Sequence, residues 1–176
     1  MTAKVVATHI WPEHEQSPMV VDYLDCSFEG AVGDRHSGLT MAAGVRQKPV
    51  FTPGTIIRNH RQISIVDVGE LNRIAEALGI EGIAPGVIAD NICTQGLGHL
   101  TKLAPMTRLV FSGGAVLMLG GENIPCTIAG AMVERAYGSA AHKFPKAAIG
   151  LRGVTAWVER PGRICPADLI EVHPGR

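Results

Sequence analysis

The sequence predicts a mostly β domain in which short strands form a closed barrel and a few α-helices lie at its periphery. The chain has 176 residues, a usual length for one domain and enough to bury a core without disulfide bonds. It contains 21 glycines and 11 prolines, so tight turns should be frequent. Many turns between short strands are typical of all-β architectures rather than of helical bundles. We therefore expect residues 1–176 to form a single domain.

Two helices are predicted. Asp67 can accept hydrogen bonds from the free amides at a helix start, and apolar residues then recur on one face over residues 68–78. Gly79 follows at the position where a left-handed residue commonly ends a helix. A second short helix is predicted over residues 127–137, with Asn123 as its candidate N-cap.

The predicted strands are short runs of alternating or β-branched residues. Gly113-Gly114 suits a tight hairpin turn, and Pro161-Gly162 fits a type II turn between two further strands. The strands are predicted over residues 4–10, 19–24, 62–66, 107–111, 115–119, 154–159 and 164–172. Strands and helices do not alternate regularly, which disfavours a dinucleotide-binding fold.

The charge distribution excludes some partners. The chain has 16 basic and 16 acidic residues and no dense basic run, so nothing favours nucleic-acid binding. Arginine outnumbers lysine among the basic residues, which suits a small anionic ligand bound by a few guanidinium groups. No apolar run approaches membrane-spanning length, and the first residues lack the features of a secretory signal. We expect a cytoplasmic protein that does not bind membranes.

Four cysteines are widely spaced, at Cys26, Cys93, Cys126 and Cys165. No pair has the spacing of a structural zinc site, so free thiols are expected. Cys126 follows Pro125 at a predicted helix start, where backbone amides and the helix dipole stabilise a thiolate. A thiolate can accept sulfur as a persulfide or attack an electrophile. The alternative is a cysteine that only fills space beside a proline.

Several polar residues are candidates for ligand binding. Residues 33–38 form a glycine-bracketed loop in which Arg35 and His36 either line an anion pocket or belong to a simple turn. The other candidates could each bind a ligand or have only a surface or structural role, and they are Arg61, Asn91 and Arg152.

Taken in order, these motifs resemble the MOSC family, which is named for the C-terminal domain of molybdenum-cofactor sulfurases. The resemblance covers nearly the whole chain from about Gly30 onward, in residues 33–38, 61–79, 85–96, 125–126 and 150–172. Two positions depart from the family pattern. Asp90 stands where the family usually has Glu, and Ala167 stands where it usually has Gly.

The resemblance implies a closed barrel like the β-barrel of pyruvate kinase. It also implies molybdenum-cofactor binding, sulfur carriage, or both. In that case Cys126 would be the catalytic residue, holding sulfur as a persulfide for delivery to metal-sulfur centres, or the ligand of the metal in molybdopterin. The residues that would form the cofactor pocket are Arg35, His36, Arg61, Asn91 and Arg152.

Two alternatives stay open from the same resemblance. One is molybdenum-cofactor-dependent reduction or detoxification of N-hydroxylated bases, which requires an electron-donor protein. The other is a non-catalytic module that holds the cofactor. A pyridoxal-phosphate site is not evident in the sequence, so pyridoxal phosphate would enter only through a partner cysteine desulfurase.

Overall fold

β-Strands dominate the regular structure of the protein. A computed structural model describes residues 2–138 and 143–175. The strands are β1 (Lys4–Ile10), β2 (Met19–Val21), β3 (Leu24–Ser27), β4 (Gly30–Ala31), β5 (Thr40–Ala42), β6 (Ile56–Arg58), β7 (Ile63–Asp67), β8 (Ile92–Gln95), β9 (Arg108–Phe111), β10 (Val116–Glu122), β11 (Val154–Arg160), β12 (Gly162–Ile164) and β13 (Ile170–His173).

The α-helices of the described residues are α1 (Val68–Leu78), α2 (Thr127–Tyr137) and α3 (Phe144–Ala147). Both predicted helices are confirmed. The side chain of Asp67 accepts a hydrogen bond from the amide of Gly69 at 2.9 Å, which caps α1 as expected. Gly79 then ends α1 with φ of 70°. None of these helices is both long and apolar enough to cross a membrane.

Eight strands form one mixed sheet in the order β13-β9-β10-β11-β7-β8-β1-β2. Its neighbouring strands are antiparallel except for β7 and β8, which run parallel and are joined by α1. Two smaller sheets have the orders β12-β3-β4 and β5-β6. The prediction of a mostly β protein with a few helices is therefore correct.

The predicted closed barrel is wrong. Within the described residues, no strand ladder joins the two edges of the large sheet, β13 and β2. Just before β13 the chain meets β1 only at an isolated bridge between Lys4 and Leu169 and at a few backbone bonds beside it. The result is a set of open mixed sheets. Local alternation predicts strands, but closure depends on strand number and stagger across the whole sheet, which no local pattern contains.

Two predicted strands are each divided in the structure. Residues 19–24 contribute to both β2 and β3, and residues 164–172 contribute to both β12 and β13. The hairpin predicted across Pro161-Gly162 is also wrong, because β12 pairs with β3 rather than with β11. The Gly113-Gly114 hairpin is confirmed: β9 and β10 are antiparallel, and Gly114 has φ of 94°.

Buried apolar residues form two clusters. One includes Ile65 and Leu117 of the large sheet. The other lies where α1 and α2 pack with α3, and it includes Ile74 and Val133. Cys126 packs against this second cluster from its edge. The packing of α2 therefore determines where the cysteine at its start is placed.

Candidate functional site

Cys126 is the N-cap residue of α2. Its backbone is extended, with φ of −138° and ψ of 165°, and its carbonyl accepts a hydrogen bond from Gly130. The thiol is half-buried and makes no capping hydrogen bond. It therefore lies beside the free amides of the first helical turn, where the helix dipole favours negative charge. The prediction of Asn123 as N-cap is wrong, because that side chain has other partners.

Asn123 joins two side chains of the site. Its Oδ1 accepts a hydrogen bond from Nη2 of Arg61 at 3.1 Å, and its Nδ2 donates to Oγ of Ser64 at 3.1 Å. Burial lowers the pKa of Arg61 to about 10, and the cations of Arg46 and Arg152 add to this effect. The charge of Cys126 acts in the opposite direction. The hydrogen bond to Asn123 thus links the guanidinium of Arg61 to the segment that leads into Cys126.

Arg152 is a buried cation with 5% of its surface exposed. Its Nη2 donates to the carbonyl of Ile88, and its Nη1 lies 3.5 Å from Oγ of Ser64. Burial lowers its pKa, whereas Asp90 and Cys126 raise it. No carboxylate of the described residues lies within 4.0 Å of this guanidinium. Buried cations are normally paired, so Arg152 is suited to an anionic ligand.

The residue after Arg152 has to be glycine, because the backbone of β7 lies too close for a side chain. A Cβ atom at this position would lie 1.9 Å from the carbonyl oxygen of Ile65, and φ is 81°. Only glycine permits such a close approach between the start of β11 and β7. The glycine therefore allows Arg152 to lie just before the start of β11, near Ser64.

Arg46 is a third cation at the site, and it was not among the pocket residues predicted from the sequence. It belongs to a short 3₁₀ turn, Val45–Gln47, and its Nη2 donates to the carbonyl of Ile124 at 2.9 Å. This bond brings an exposed arginine beside the segment that leads into Cys126. The turn has no periodic pattern, so its position next to α2 could not be derived from local sequence.

Asn91 and His36 connect to the site through a polar network. Oδ1 of Asn91 accepts from the backbone amide of Ser64 at 3.0 Å, and its Nδ2 donates to Oδ2 of Asp34 at 2.8 Å. Oδ1 of Asp34 contacts Nδ1 of His36 at 2.9 Å. Asn91 therefore orients Ser64, whose hydroxyl group also contacts Asn123 and Arg152. His36 has an exposed ring at the far end of this chain of contacts.

Arg35 is engaged elsewhere. Its guanidinium lies 4.2 Å from the ring centroid of Trp11. It also donates to the carbonyls of Pro12, Glu13 and Glu15 at 2.8, 3.0 and 2.9 Å. These contacts hold the loop after β1. The structure thus groups Arg61 and Arg152 with Cys126 and joins Asn91 and His36 to them, but shows no contact between Arg35 and that group.

His9 and Asp90 form a buried pair near Arg152. Nδ1 of His9 lies 3.7 Å from Oδ2 of Asp90, and among the described residues it is the one buried side-chain nitrogen or oxygen without a hydrogen bond. Burial raises the pKa of Asp90 and lowers that of His9. Both oxygens of Asp90 accept from the amide of Gly86. Asp90 therefore fixes the loop around Ile88 that Arg152 also binds.

Two open clefts lie elsewhere on the surface. One, of about 1020 Å³, is lined by residues that include Arg108, Glu159 and His173. The other, of about 450 Å³, includes His60 and Trp157. Cys126 lines neither cleft. We assign the functional site from the thiol of Cys126 and the nearby guanidinium groups, because neither cleft has a thiol among its lining residues.

The residues of the site fit a molybdenum cofactor better than a bare metal ion. No group of three or more His, Cys, Asp or Glu side chains in the described residues could hold a metal ion. A metal that brings its own ligands would need only one thiolate from the protein. Guanidinium groups suit the phosphate or oxyanion of such a cofactor. Arg61 and Arg152 offer these groups beside Cys126.

The fold and the site define a small, mostly β protein built around one thiol and several arginines. The MOSC domain matches residues 36–171, and the chain belongs to this family. It is 40% identical over 176 residues to YuaD of Bacillus subtilis (strain 168), across 98% of this chain and 91% of that protein. YuaD carries the description "putative metal-sulfur cluster biosynthesis" protein.

Solved structures agree with the sequence match. The crystal structure of YuaD from Bacillus subtilis has a TM-score of 0.93 and 39% identity, covering 100% of this chain and 98% of its own. YiiM from Geobacillus stearothermophilus has a TM-score of 0.67 and 14% identity, covering 97% and 75% of the two chains. The similarity to YiiM shows only that the two proteins share a fold. The family prediction is confirmed.

Proposed function

We propose that this protein carries sulfur as a persulfide on Cys126 and delivers it to metal-sulfur centres. One observation supports this most strongly. The half-buried thiol lies at the start of α2, and Arg61 is hydrogen-bonded to Asn123 three residues before it. The charge of Cys126 acts on the guanidinium groups of Arg61 and Arg152, neither of which has a carboxylate of the described residues within 4.0 Å. Cations and free amides together stabilise the anionic sulfur that a carrier must hold.

The transfer step requires no added oxidant. The thiolate of Cys126 attacks the outer sulfur of a donor persulfide, and a new sulfur–sulfur bond forms as the old one breaks. The electron pair of the broken bond leaves with the donor, which becomes a thiolate. Transfer to an acceptor repeats the exchange in the opposite direction. A cysteine desulfurase containing pyridoxal phosphate, on a separate chain, is the donor we propose.

The description of YuaD supports the same class of function. YuaD is named as a putative metal-sulfur cluster biosynthesis protein, and its alignment with this chain covers 98% of the chain at 40% identity. A thiol carrier is the component that such biosynthesis needs when sulfur is passed between proteins. We extend that role to this chain on the geometry around Cys126.

Molybdenum-cofactor binding is a second candidate, favoured by the buried and unpaired guanidinium of Arg152. When bound, the cofactor would supply a metal able to accept a thiolate ligand. Cys126 would be that ligand, and Arg61 and Arg152 would bind the anionic part of the cofactor. Reduction of N-hydroxylated bases would further require an electron-donor protein, whereas a holder of the cofactor would not.

Sulfur loading tests the first proposal. The purified protein is incubated with a cysteine desulfurase and L-cysteine, then separated from small molecules. Intact-protein mass spectrometry should show the mass of one added sulfur atom, and cyanide should release it as thiocyanate. Peptide mapping should place the sulfur on Cys126, and Cys126→Ser should abolish the gain.

Cys165 provides the matched control, since its thiol is also half-buried. Cys165→Ser should load as much sulfur as the unmodified protein. Equal loading of Cys126→Ser and the unmodified protein would reject the carrier role. Two results together would select the cofactor-binding candidate. The unmodified protein would retain molybdenum after gentle purification but load no sulfur, and Cys126→Ser would lose the molybdenum.

A further inference from the structure

Residues 39–58 form a flap beside Cys126 with an unusual surface. Its two strands, β5 and β6, pair only with each other. Ala43 is the one buried residue of this flap. Large apolar side chains are left in solvent, with Val45 82% exposed, Val50 76% and Ile56 67%. A flap that buries so little of itself contributes little to the core, so its composition needs another explanation.

The flap also has a one-sided charge. Between Asp34 and Asp67 the chain has no acidic residue, although the whole sequence has equal numbers of acidic and basic residues. Within the flap itself the basic residues are Arg46, Lys48 and Arg58, and all three are exposed. Exposed cations among exposed aliphatic side chains complement a partner that is both acidic and apolar.

A hydrogen bond joins the flap to the segment that precedes Cys126. The bond from Nη2 of Arg46 to the carbonyl of Ile124, at 2.9 Å, connects it to the segment immediately before Cys126. Two more exposed apolar residues, Ile124 at 58% and Ile128 at 67%, lie on either side of this cysteine in the sequence. Exposed apolar residues and a basic residue therefore lie on the segments that adjoin the proposed sulfur-carrying cysteine.

We propose that the flap docks an acidic segment of a partner protein that presents a cysteine to Cys126. The inference rests on the proposed sulfur-carrier function and adds the chemistry of its partner. Thiol–persulfide exchange requires the sulfur atoms of both proteins to meet, so a docking surface must lie next to the carrier thiol. The flap has that position, and its charge selects for carboxylates on the partner.

Disulfide exchange with peptides tests the flap separately from sulfur carriage. Two decapeptides carry one central cysteine, activated as a thionitrobenzoate disulfide, with leucines and either glutamates or lysines around it. Attack by Cys126 releases the coloured thiolate, whose absorbance gives the rate. At low ionic strength the acidic peptide should react about tenfold faster than the basic one, and salt should remove the difference.

Variants locate the effect on the flap. Lys48→Glu and Val45→Asp should each slow the acidic peptide several-fold. Neither should change the rate with neutral dipyridyl disulfide, which reports on the thiol alone. Val20→Asp is the matched control, because Val20 lies on the edge strand β2, outside the flap, and is 76% exposed. This variant should react with both peptides at the same rates as the unmodified protein.

Other outcomes overturn the docking proposal. Equal reaction rates for the two peptides would show that the flap does not select a partner. The same would follow if the flap variants reacted more slowly with dipyridyl disulfide by the same factor as with the acidic peptide. Flotation with anionic vesicles that depends on Val45 would assign the flap to a lipid surface, and a dimer that Val45→Asp dissociates would assign it to a second copy of this chain. Failure of sulfur loading, with the peptide preference intact, would reject only the carrier function.

Discussion

Asn91 donates a hydrogen bond from Nδ2 to Oδ2 of Asp34 over 2.8 Å, although 57 residues separate them in the sequence. The same amide group accepts from the backbone of Ser64. Ser64 in turn contacts Asn123 on the side of the site that holds the arginines. Two motifs that are distant in the chain thus form one buried polar network, and this network orients the residues around Cys126.

Asp34→Asn should destabilise the protein at neutral pH. Burial alone would raise the pKa of Asp34, but hydrogen bonds from His36 and Trp11 outweigh it and hold this pKa below its usual value. Since the folded pKa is the lower one, the stabilisation is present above the ordinary carboxyl pKa of about 4 and is lost as pH falls through the folded pKa. At neutral pH we expect a loss of about 1.5–3 kcal/mol in the free energy of unfolding.

Urea unfolding at neutral and acidic pH measures this effect. The difference between the unmodified protein and Asp34→Asn should shrink as the solution becomes more acidic. Glu29→Gln is the control, because this exposed carboxylate should change the free energy of unfolding by less than about 0.5 kcal/mol. A difference that stays constant with pH would contradict the assigned role of the Asp34 charge.

Ala167→Gly should stabilise the protein. Ala167 has φ of 73°, a left-handed conformation that is unfavourable for residues with a Cβ atom. This is the position where the family usually has glycine. Relief of the strain should raise the free energy of unfolding by about 1 kcal/mol. The exposed helical change Ala136→Gly should have the opposite sign, and a loss of stability in Ala167→Gly would contradict the prediction.

Parts of the fold follow from local signals. The carboxylate of Asp67 and the left-handed conformation of Gly79 define α1, and the Gly113-Gly114 turn defines the β9–β10 hairpin. The parallel pairing of β7 with β8 could not be predicted, because residues 92–95 have no alternation that indicates a strand. Pairing of distant strands depends on register across the sheet, which also explains the error about barrel closure.

The site was predictable only in part. The helix start identified Cys126, and the family motifs identified Arg61, Asn91 and Arg152. Arg46 was missed because a hydrogen bond to Ile124, far away in the sequence, brings it to the site. The absence of acidic residues between Asp34 and Asp67 was the sequence signal that could have identified Arg46. The contacts of Arg35 with the loop after β1 have no signature in the polar loop itself.

Cys126 should react with iodoacetamide before the two fully buried cysteines. Burial raises the pKa of Cys26 to about 12, and burial with the nearby charges of Asp90 and Asp67 raises the pKa of Cys93 further. Both thiols are therefore protonated and inaccessible at neutral pH. Timed labelling followed by peptide mapping should show Cys126 labelled in the folded protein. Early labelling of Cys93 would contradict this order.

Arg152→Ala should weaken anion binding, whereas Arg35→Ala should not. The family resemblance places both arginines at the cofactor, but their contacts differ. Arg152 is buried, and no carboxylate of the described residues lies within 4.0 Å of its guanidinium. The guanidinium of Arg35 is occupied by carbonyls such as that of Pro12. Loss of one charge-assisted contact should cost about 1.5–3 kcal/mol of binding free energy. Molybdate is the probe, and isothermal titration measures its affinity.

The two arginine variants should also differ in their stability and in their rescue. Arg35→Ala releases the loop after β1, so its melting temperature should fall while molybdate affinity stays within about twofold. Arg152→Lys keeps the positive charge but loses the planar donors, so it should recover only part of the affinity lost in Arg152→Ala. Arg61→Gln provides a half-buried variant should Arg152→Ala fail to fold. Equal weakening by Arg35→Ala would show that Arg35 leaves its carbonyls to bind the anion, because no contact in the structure connects it to Cys126.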